Sequence, residues 1–210
     1  MVLFTFPVLL LAWAIRQRSG LVFVFDQWAV TDATGTTRAW DLASVAVFVQ
    51  AVFHPFVVYV AATLMVIYAG LGQGLRSRAL WAFTTMMVGW AIGAAAKQVV
   101  HRLRPVLPDP LTRLGGYSFP SGHALNITVA TTALLFLFWP VLSPASRRLA
   151  VAGAVVLITI VGLDRIFLGV HFPSDVVAGY VLGFGITFSS WIAFVGPAAG
   201  ISLSSSSARR

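Results

Sequence analysis

The sequence predicts an all-α fold: a polytopic membrane protein built as a bundle of six transmembrane helices. Three observations carry that prediction. Of 210 residues, 59% are apolar and only 10% charged, against roughly 25% charged in an ordinary globular domain. The mean hydropathy is +0.90, so a water-soluble fold of this size would lack the polar surface to cover itself. The apolar residues also gather in runs close to the roughly 20 residues that a helix needs to cross a hydrocarbon core. The same composition excludes disorder, collagen and a coiled coil. The chain has no Cys, which removes disulfides, thiol catalysis and Cys-based zinc sites.

Six apolar segments follow in order within one membrane-embedded domain, residues 1–200, with residues 201–210 as a polar tail. The first, Val2–Ile15, is about 21 Å long at helical rise and lacks the basic n-region of a secretory signal. The second lies within Leu42–Leu71 and contains His54-Pro55. The others are Ala79–Val100, Gly122–Leu142, Leu149–Leu168 and Ser174–Val195. Between the first two, Arg16–Asp41 is rich in Thr and Asp, and its Leu21–Val30 stretch reads as a short interfacial helix. Gly89-x3-Gly93 and Gly179-x3-Gly183 place small residues on one helix face, where neighbours can approach closely.

The charge is strongly one-sided. There are 14 basic and 6 acidic residues; every acid is Asp, and Lys97 is the only lysine. The basic residues are scattered between apolar runs rather than forming a stripe, so a nucleic-acid partner is not indicated. With six spans, Arg76, Arg78, Arg147, Arg148, Arg209 and Arg210 share one side, and all six Asp fall on the other. The positive-inside rule makes the Arg side cytoplasmic, with both termini there. Arg16 and Arg18 then fall outside, against the trend.

Ionisable groups at the ends of apolar spans are costly and often functional. Here they cluster at the acidic side in three places. Lys97 precedes His101, Arg102 and Arg104-Pro105; Tyr117-Ser118-Phe119-Pro120-Ser121-Gly122-His123 opens the fourth segment; Asp164-Arg165 and His171-Phe172-Pro173-Ser174-Asp175 flank the turn between the last two. Cations, two histidines and a carboxylate beside one histidine suit phosphoryl transfer through a histidine. The phosphoryl group in transit spreads negative charge that fixed cations and N–H donors must hold. Lys97, Arg104 and Arg165 supply cations, and Ser121-Gly122 open a helix whose N-terminus favours an anion. Asp175 can take the Nδ1 proton of His171, leaving Nε2 as nucleophile, while His123 is free to protonate the leaving oxygen.

Lys97-x6-Arg104-Pro105, Pro120-Ser121-Gly122-His123 and Arg165-x5-His171-x3-Asp175 together resemble the three-part signature of the type 2 phosphatidic acid phosphatases. That superfamily also holds vanadium haloperoxidases and bacterial acid phosphatases. The resemblance implies that Lys97, Arg104 and Arg165 bind phosphate, with hydrogen bonds from Ser121 and Gly122. It implies that His171 forms a phosphohistidine, His123 is the acid–base group and Asp175 orients His171. It also implies that no metal or other cofactor is needed, and that the partner is a phosphate-bearing membrane lipid in the bilayer. Polyprenyl (di)phosphates, phosphatidylglycerol phosphate, phosphatidate and a polyprenyl-phosphoryl sugar phosphate all fall within it. One departure is Asp164 where the family usually has Ser before the arginine. Arg102, Arg113 and Asp164 are possible head-group contacts.

Other readings of the same residues exist. Lys97 at a helix end could snorkel to the interface; His101, Arg102 and Arg113 could sit in a solvated loop; His54 before Pro55 reads as an interfacial residue. A phosphotransferase would use the same site with a different acceptor. A transporter could also carry intramembrane charges, but would show broken helices at the bilayer midplane and inverted repeats.

Overall fold

The structure, a computed structural model, describes residues 2–17 and 19–204, with side chains for 4–17 and 19–196. Arg18, Arg209, Arg210 and most of the polar tail lie outside the described residues. Those residues form eight helices: α1 (Val2–Arg16), α2 (Gly20–Ala39), α3 (Ala43–Val52), α4 (Pro55–Gly72), α5 (Arg76–Val100), α6 (Gly122–Phe138), α7 (Pro144–Phe167) and α8 (Pro173–Ser204).

Local chemistry sets the boundaries. Pro55 has no N–H to donate and disfavours helical backbone in the residue before it. The second apolar segment therefore breaks into α3 and α4 instead of forming one long helix. Pro55 then serves as the first residue of α4, and His54 Nδ1 accepts from Phe56 N at 3.3 Å. Ser143 and Pro144 open α7 in the same way, Ser143 Oγ accepting from Ser146 N at 3.2 Å. The stretch expected as a short interfacial helix is instead the 20-residue α2. Its Thr37 hydroxyl donates to Phe167 O at 2.8 Å, which fastens α2 to the end of α7.

The bundle is organised around α6. This helix has no distinct polar face, as suits an enclosed helix, and most of its residues are buried. Both glycine pairs face it. A Cβ on Gly89 would come within 3.1 Å of Val129, and one on Gly183 within 2.9 Å of Thr128. A Cβ on Gly179 would come within 2.9 Å of the Ser121 carbonyl oxygen. Glycine thus lets α5 and α8 grip α6 at near-backbone contact.

By length and composition, α4, α5, α7 and α8 are each able to cross a membrane. The α1–α2 pair would make a fifth span if taken as one, although it is bent by 90°. The expected fourth span, α6, has 17 residues, about 25 Å of helix. The described helices thus give four or five spans by this measure rather than the expected six. Arg76 and Arg78 start α5, and Arg147 and Arg148 lie in the first turns of α7. Arg78 Nη1 donates to Phe136 O at 2.9 Å, tying the start of α5 to the end of α6. At the opposite end, Ser121 N donates to Asp175 O at 2.9 Å, joining the starts of α6 and α8.

Candidate active site

The last turn of α7 delivers the first site residue. Gly169 takes a left-handed φ of 72°, open to glycine at no steric cost. It turns the chain so that His171 lies under α7, its N–H on Arg165 O at 3.2 Å. The His171 side chain is 2% exposed. Its Nε2 lies 3.1 Å from Arg104 Nη1. A guanidinium only donates, so Nε2 must be the acceptor and the proton sits on Nδ1. That proton faces Ser118 Oγ at 3.3 Å and Asp175 Oδ2 at 3.5 Å. Burial pushes His171 down to about 4, against an upward pull from Asp175, and the neighbouring Arg104 and Lys97 cations lower it further. At neutral pH the imidazole is therefore uncharged.

Asp175 sits in the first turn of α8, and its carboxylate is wholly buried. Oδ2 accepts from Phe172 N at 2.9 Å and from the Ser118 hydroxyl; Oδ1 accepts from Arg102 Nη1 at 2.7 Å. The carboxylate is thus held on both oxygens, with one aimed at His171.

The cations surround this pair. Lys97 Nζ donates to the carbonyls of Tyr117 at 2.8 Å and Pro120 at 2.9 Å, so it holds the segment leading into α6 rather than snorkelling outward. Arg104 Nε donates to Gly115 O at 3.2 Å and Nη1 also to Val170 O at 2.9 Å. Burial lowers the Arg104 pKa, and Asp175 partly offsets this. Arg165 is completely buried: Nη1 donates to Gln50 Oε1 at 3.0 Å and Nη2 to the adjacent Asp164, while Nε has no partner. Electrostatic contact links Arg104 with Lys97 and Arg165, and His123 with Arg165 and His171.

The start of α6 adds two more unpartnered groups. Ser121 is the N-cap but its hydroxyl makes no capping bond; Ser121 Oγ and His123 Nε2 are both buried without a hydrogen-bond partner. Buried polar atoms are rarely left unsatisfied. Three of them, Ser121 Oγ, His123 Nε2 and Arg165 Nε, belong to residues the sequence singled out. Ser121 Oγ and Arg165 Nε can each donate to an oxyanion; His123 already bonds the Gln50 backbone, so its free Nε2 is an acceptor in the neutral ring and a donor when the ring is protonated. Gly122 stands between Ser121 and His123, with Lys97 Cε 3.9 Å from where its Cβ would be.

The possible head-group contacts fare differently. Arg102 turns inward onto two carboxylates. Arg113 is exposed and makes no hydrogen bond or ion pair among the described residues. Asp164 is buried against Arg165. Four residues were not singled out by sequence reasoning for the places they occupy. Ser118 bonds both His171 and Asp175; Gln50 holds Arg165; Asp26 holds Arg102; and the His54 ring packs edge-on against His123 with centroids 5.8 Å apart. Ser118 lay inside a motif-bearing stretch, and its position three residues before Ser121 was the only available signal. Among the described residues, no three His, Cys, Asp or Glu side chains cluster as they would around a metal ion.

A groove of about 820 Å³ opens beside Arg104, lined by Ile15, Phe23, Val100, Leu103 and Phe172 among others. It joins an apolar flank to the cationic site.

The family model of the PAP2 superfamily matches residues 78–196, more than half of the chain and all three motifs. The chain belongs to the PAP2 superfamily. Phosphatidylglycerophosphatase B of Bacillus subtilis is 33% identical over 95 residues, 44% of this chain and 46% of that protein. Undecaprenyl-diphosphatase of Sulfolobus acidocaldarius is 31% identical over 116 residues, 53% of this chain and 50% of the relative. Decaprenylphosphoryl-5-phosphoribose phosphatase of Mycobacterium tuberculosis is 38% identical over 99 residues, 46% of this chain and 50% of the relative. The chain spans about half the length of these curated relatives. The crystal structure of a transmembrane PAP2 type phosphatidylglycerolphosphate phosphatase from Bacillus subtilis superposes with a TM-score of 0.75. It is 24% identical, with 90% of this chain and 92% of that one covered. At that identity it supports the all-helical membrane fold.

Proposed function

We propose that this PAP2 protein is a metal-independent lipid phosphatase that hydrolyses a polyprenyl (di)phosphate, or a related membrane lipid phosphate, through a phosphohistidine. One observation carries the reading: His171 Nε2 is held as a bare acceptor against Arg104, while Ser121 Oγ, His123 Nε2 and Arg165 Nε are buried without partners. The lipid phosphate binds among Lys97, Arg104 and Arg165, with Ser121 Oγ and the Gly122 N–H as further donors. His171 Nε2 attacks phosphorus and the bond to the lipid oxygen breaks. His123 gives that oxygen its proton, and Asp175 stabilises the charge left on His171 through Nδ1–H. Water then attacks the phosphohistidine, His123 takes its proton, and phosphate leaves.

The surroundings support the substrate class and the location. The groove beside Arg104 has an apolar flank and a cationic end, which fits a head group arriving from the membrane plane. The relatives are named for phosphates on polyprenyl, glycerol and lipid A carriers, so the shared feature is a phosphate on a membrane lipid. Arg76, Arg78, Arg147 and Arg148 lie at the far end of the bundle; with α1 and α6 also crossing, as the six-span reading has it, the positive-inside rule favours a site on the extracytoplasmic face of a bacterial plasma membrane and cytoplasmic termini. A phosphatidylglycerol phosphate or phosphatidate phosphatase, or a phosphotransferase, would use the same residues.

The test is phosphate release from a polyprenyl diphosphate, phosphatidate, phosphatidylglycerol phosphate and a soluble ester, each with and without EDTA. Release from a lipid substrate in EDTA, absent in His171→Asn, is the expected result. Complete loss on chelation would reject the metal-free reaction. Lipid transport without phosphate release would favour a transporter.

A further inference from the structure

The Asp26 carboxylate, on α2, is fully buried and lies outside all three motifs. Its oxygens accept from Ser174 N at 3.0 Å, from the Ser174 hydroxyl and from Arg102 Nη2 at 2.6 Å. Arg102 is only 9% exposed. Its Nη1 donates to Asp175 Oδ1 at 2.7 Å and Ser174 Oγ at 2.6 Å, and its guanidinium lies 4.2 Å from the centre of the Phe172 ring. The result is a continuous buried row: Asp26, Arg102, Asp175, His171. Among the described residues, Asp26 bonds only to Arg102 and Ser174.

Charge explains why a second carboxylate is there. Arg102 fixes Asp175 Oδ1, but its cation also offsets the negative charge that backs His171. The other charged or titratable groups around His171 are Arg104 beside it, Lys97 on α5 and His123 on α6. Among the described residues whose charge is seen to act on His171, Asp175 is the one acid. Arg102 alone would leave the Asp175–Arg102 pair neutral just where a cation must form. Asp26 restores one net negative charge to the trio.

We infer that Asp26 is a positioning residue for the phosphoryl-transfer site: through Arg102 it locks Asp175 while keeping the cluster anionic behind His171. The inference rests on the phosphohistidine reading above. Asp26 touches neither the nucleophile nor the phosphate ligands, so it acts on the charge that develops and not on substrate binding.

The experiment measures kcat, KM and the acid limb of kcat/KM for the full-length protein in detergent, with a soluble phosphate ester. Asp26→Asn makes the trio neutral, Arg102→Gln gives it two net negative charges, and the double variant restores one. Asp26→Asn should lower kcat about tenfold or more and move the acid limb down by on the order of one pH unit, the size expected for one charge at this range. KM should change by less than about twofold, because no substrate contact is lost. Ser174→Ala, which removes a partner of Asp26 without changing charge, should leave the limb in place. The double variant, with one negative charge fewer than Arg102→Gln, should have its acid limb at lower pH than that single variant. An unmoved acid limb in Asp26→Asn overturns the inference. Should that variant not fold, the comparison of Arg102→Gln with the double variant decides. A double variant whose acid limb does not lie below that of Arg102→Gln, or that does not fold, assigns the row to stability alone. Full activity in His171→Asn would instead overturn the phosphohistidine reading itself.

Discussion

Replacing Arg104 with Gln should raise the pKa of His171. The guanidinium lies 3.1 Å from His171 Nε2 and opposes protonation of the ring. Two unit charges about 4 Å apart interact by about 1 kcal/mol in bulk water and about 4 kcal/mol at an effective dielectric of 20. One pKa unit is about 1.36 kcal/mol, so removing the charge should raise His171 by about 1–3 units. The nucleophile must be neutral. In the unaltered protein, kcat/KM should therefore hold as pH falls until it nears about 4. In Arg104→Gln the same fall should begin one to three pH units higher, on the same Coulomb estimate of about 1–4 kcal/mol. The plateau should also drop about 100-fold or more, as for loss of one preorganised donor to a developing oxyanion. Both proteins are assayed on one soluble phosphate ester, so that the substrate's own titration near pH 6 cancels in the ratio. A lower plateau with an unmoved acid limb would show that Arg104 binds phosphate without acting on His171, and would refute the electrostatic argument.

Three further substitutions probe the surroundings. Ser118→Ala removes a bond to a buried carboxylate that is worth about 1.5–3 kcal/mol, so kcat should fall roughly 10- to 100-fold with KM nearly constant; a fall in affinity alone would contradict the assigned role. Gly179→Val places a side chain against the Ser121 carbonyl, a contact of 2.9 Å already at Cβ, and overpacking of this kind costs about 1–3 kcal/mol. A lowered Tm and reduced turnover should appear together, and an unchanged Tm would refute the close contact between α6 and α8. Asp164→Ser removes a carboxylate that competes for Arg165 Nη2, so KM for a dianionic phosphate should fall several-fold, by the about 1 kcal/mol or more that a charge-assisted bond contributes. A rise in KM would mean that Asp164 serves mainly to aim Arg165.

The candidate site was more legible in the sequence than the scaffold around it. Residue type and spacing single out Lys97, Arg104, Ser121, His123, Arg165, His171 and Asp175, and the structure gathers them at one end of the bundle. Periodicity and length found the apolar segments but not how they are used. Pro55 splits the second segment, a local steric effect that a hydropathy window averages away. The expected fourth span is the short, enclosed α6, because enclosure by protein and by lipid both select apolar residues. Arg102 shows a different limit. A basic residue beside a phosphate motif reads as a further anion contact, and only the fold reveals that Asp26, 76 positions away, takes up its charge. Gln50 and His54 were missed for the same reason: their functional neighbours are distant in sequence, and neither lies in a pattern.

The most direct measurement of the central claim is detection of the covalent intermediate. His123→Ala, mixed with an aryl phosphate whose leaving group needs no proton, should still be phosphorylated but should hydrolyse the product slowly. Rapid quench and peptide mapping should find an acid-labile, base-stable phosphoryl group on His171, absent from His171→Asn. Phosphate release with no such adduct, or a phosphoryl group on any other residue, would contradict the account.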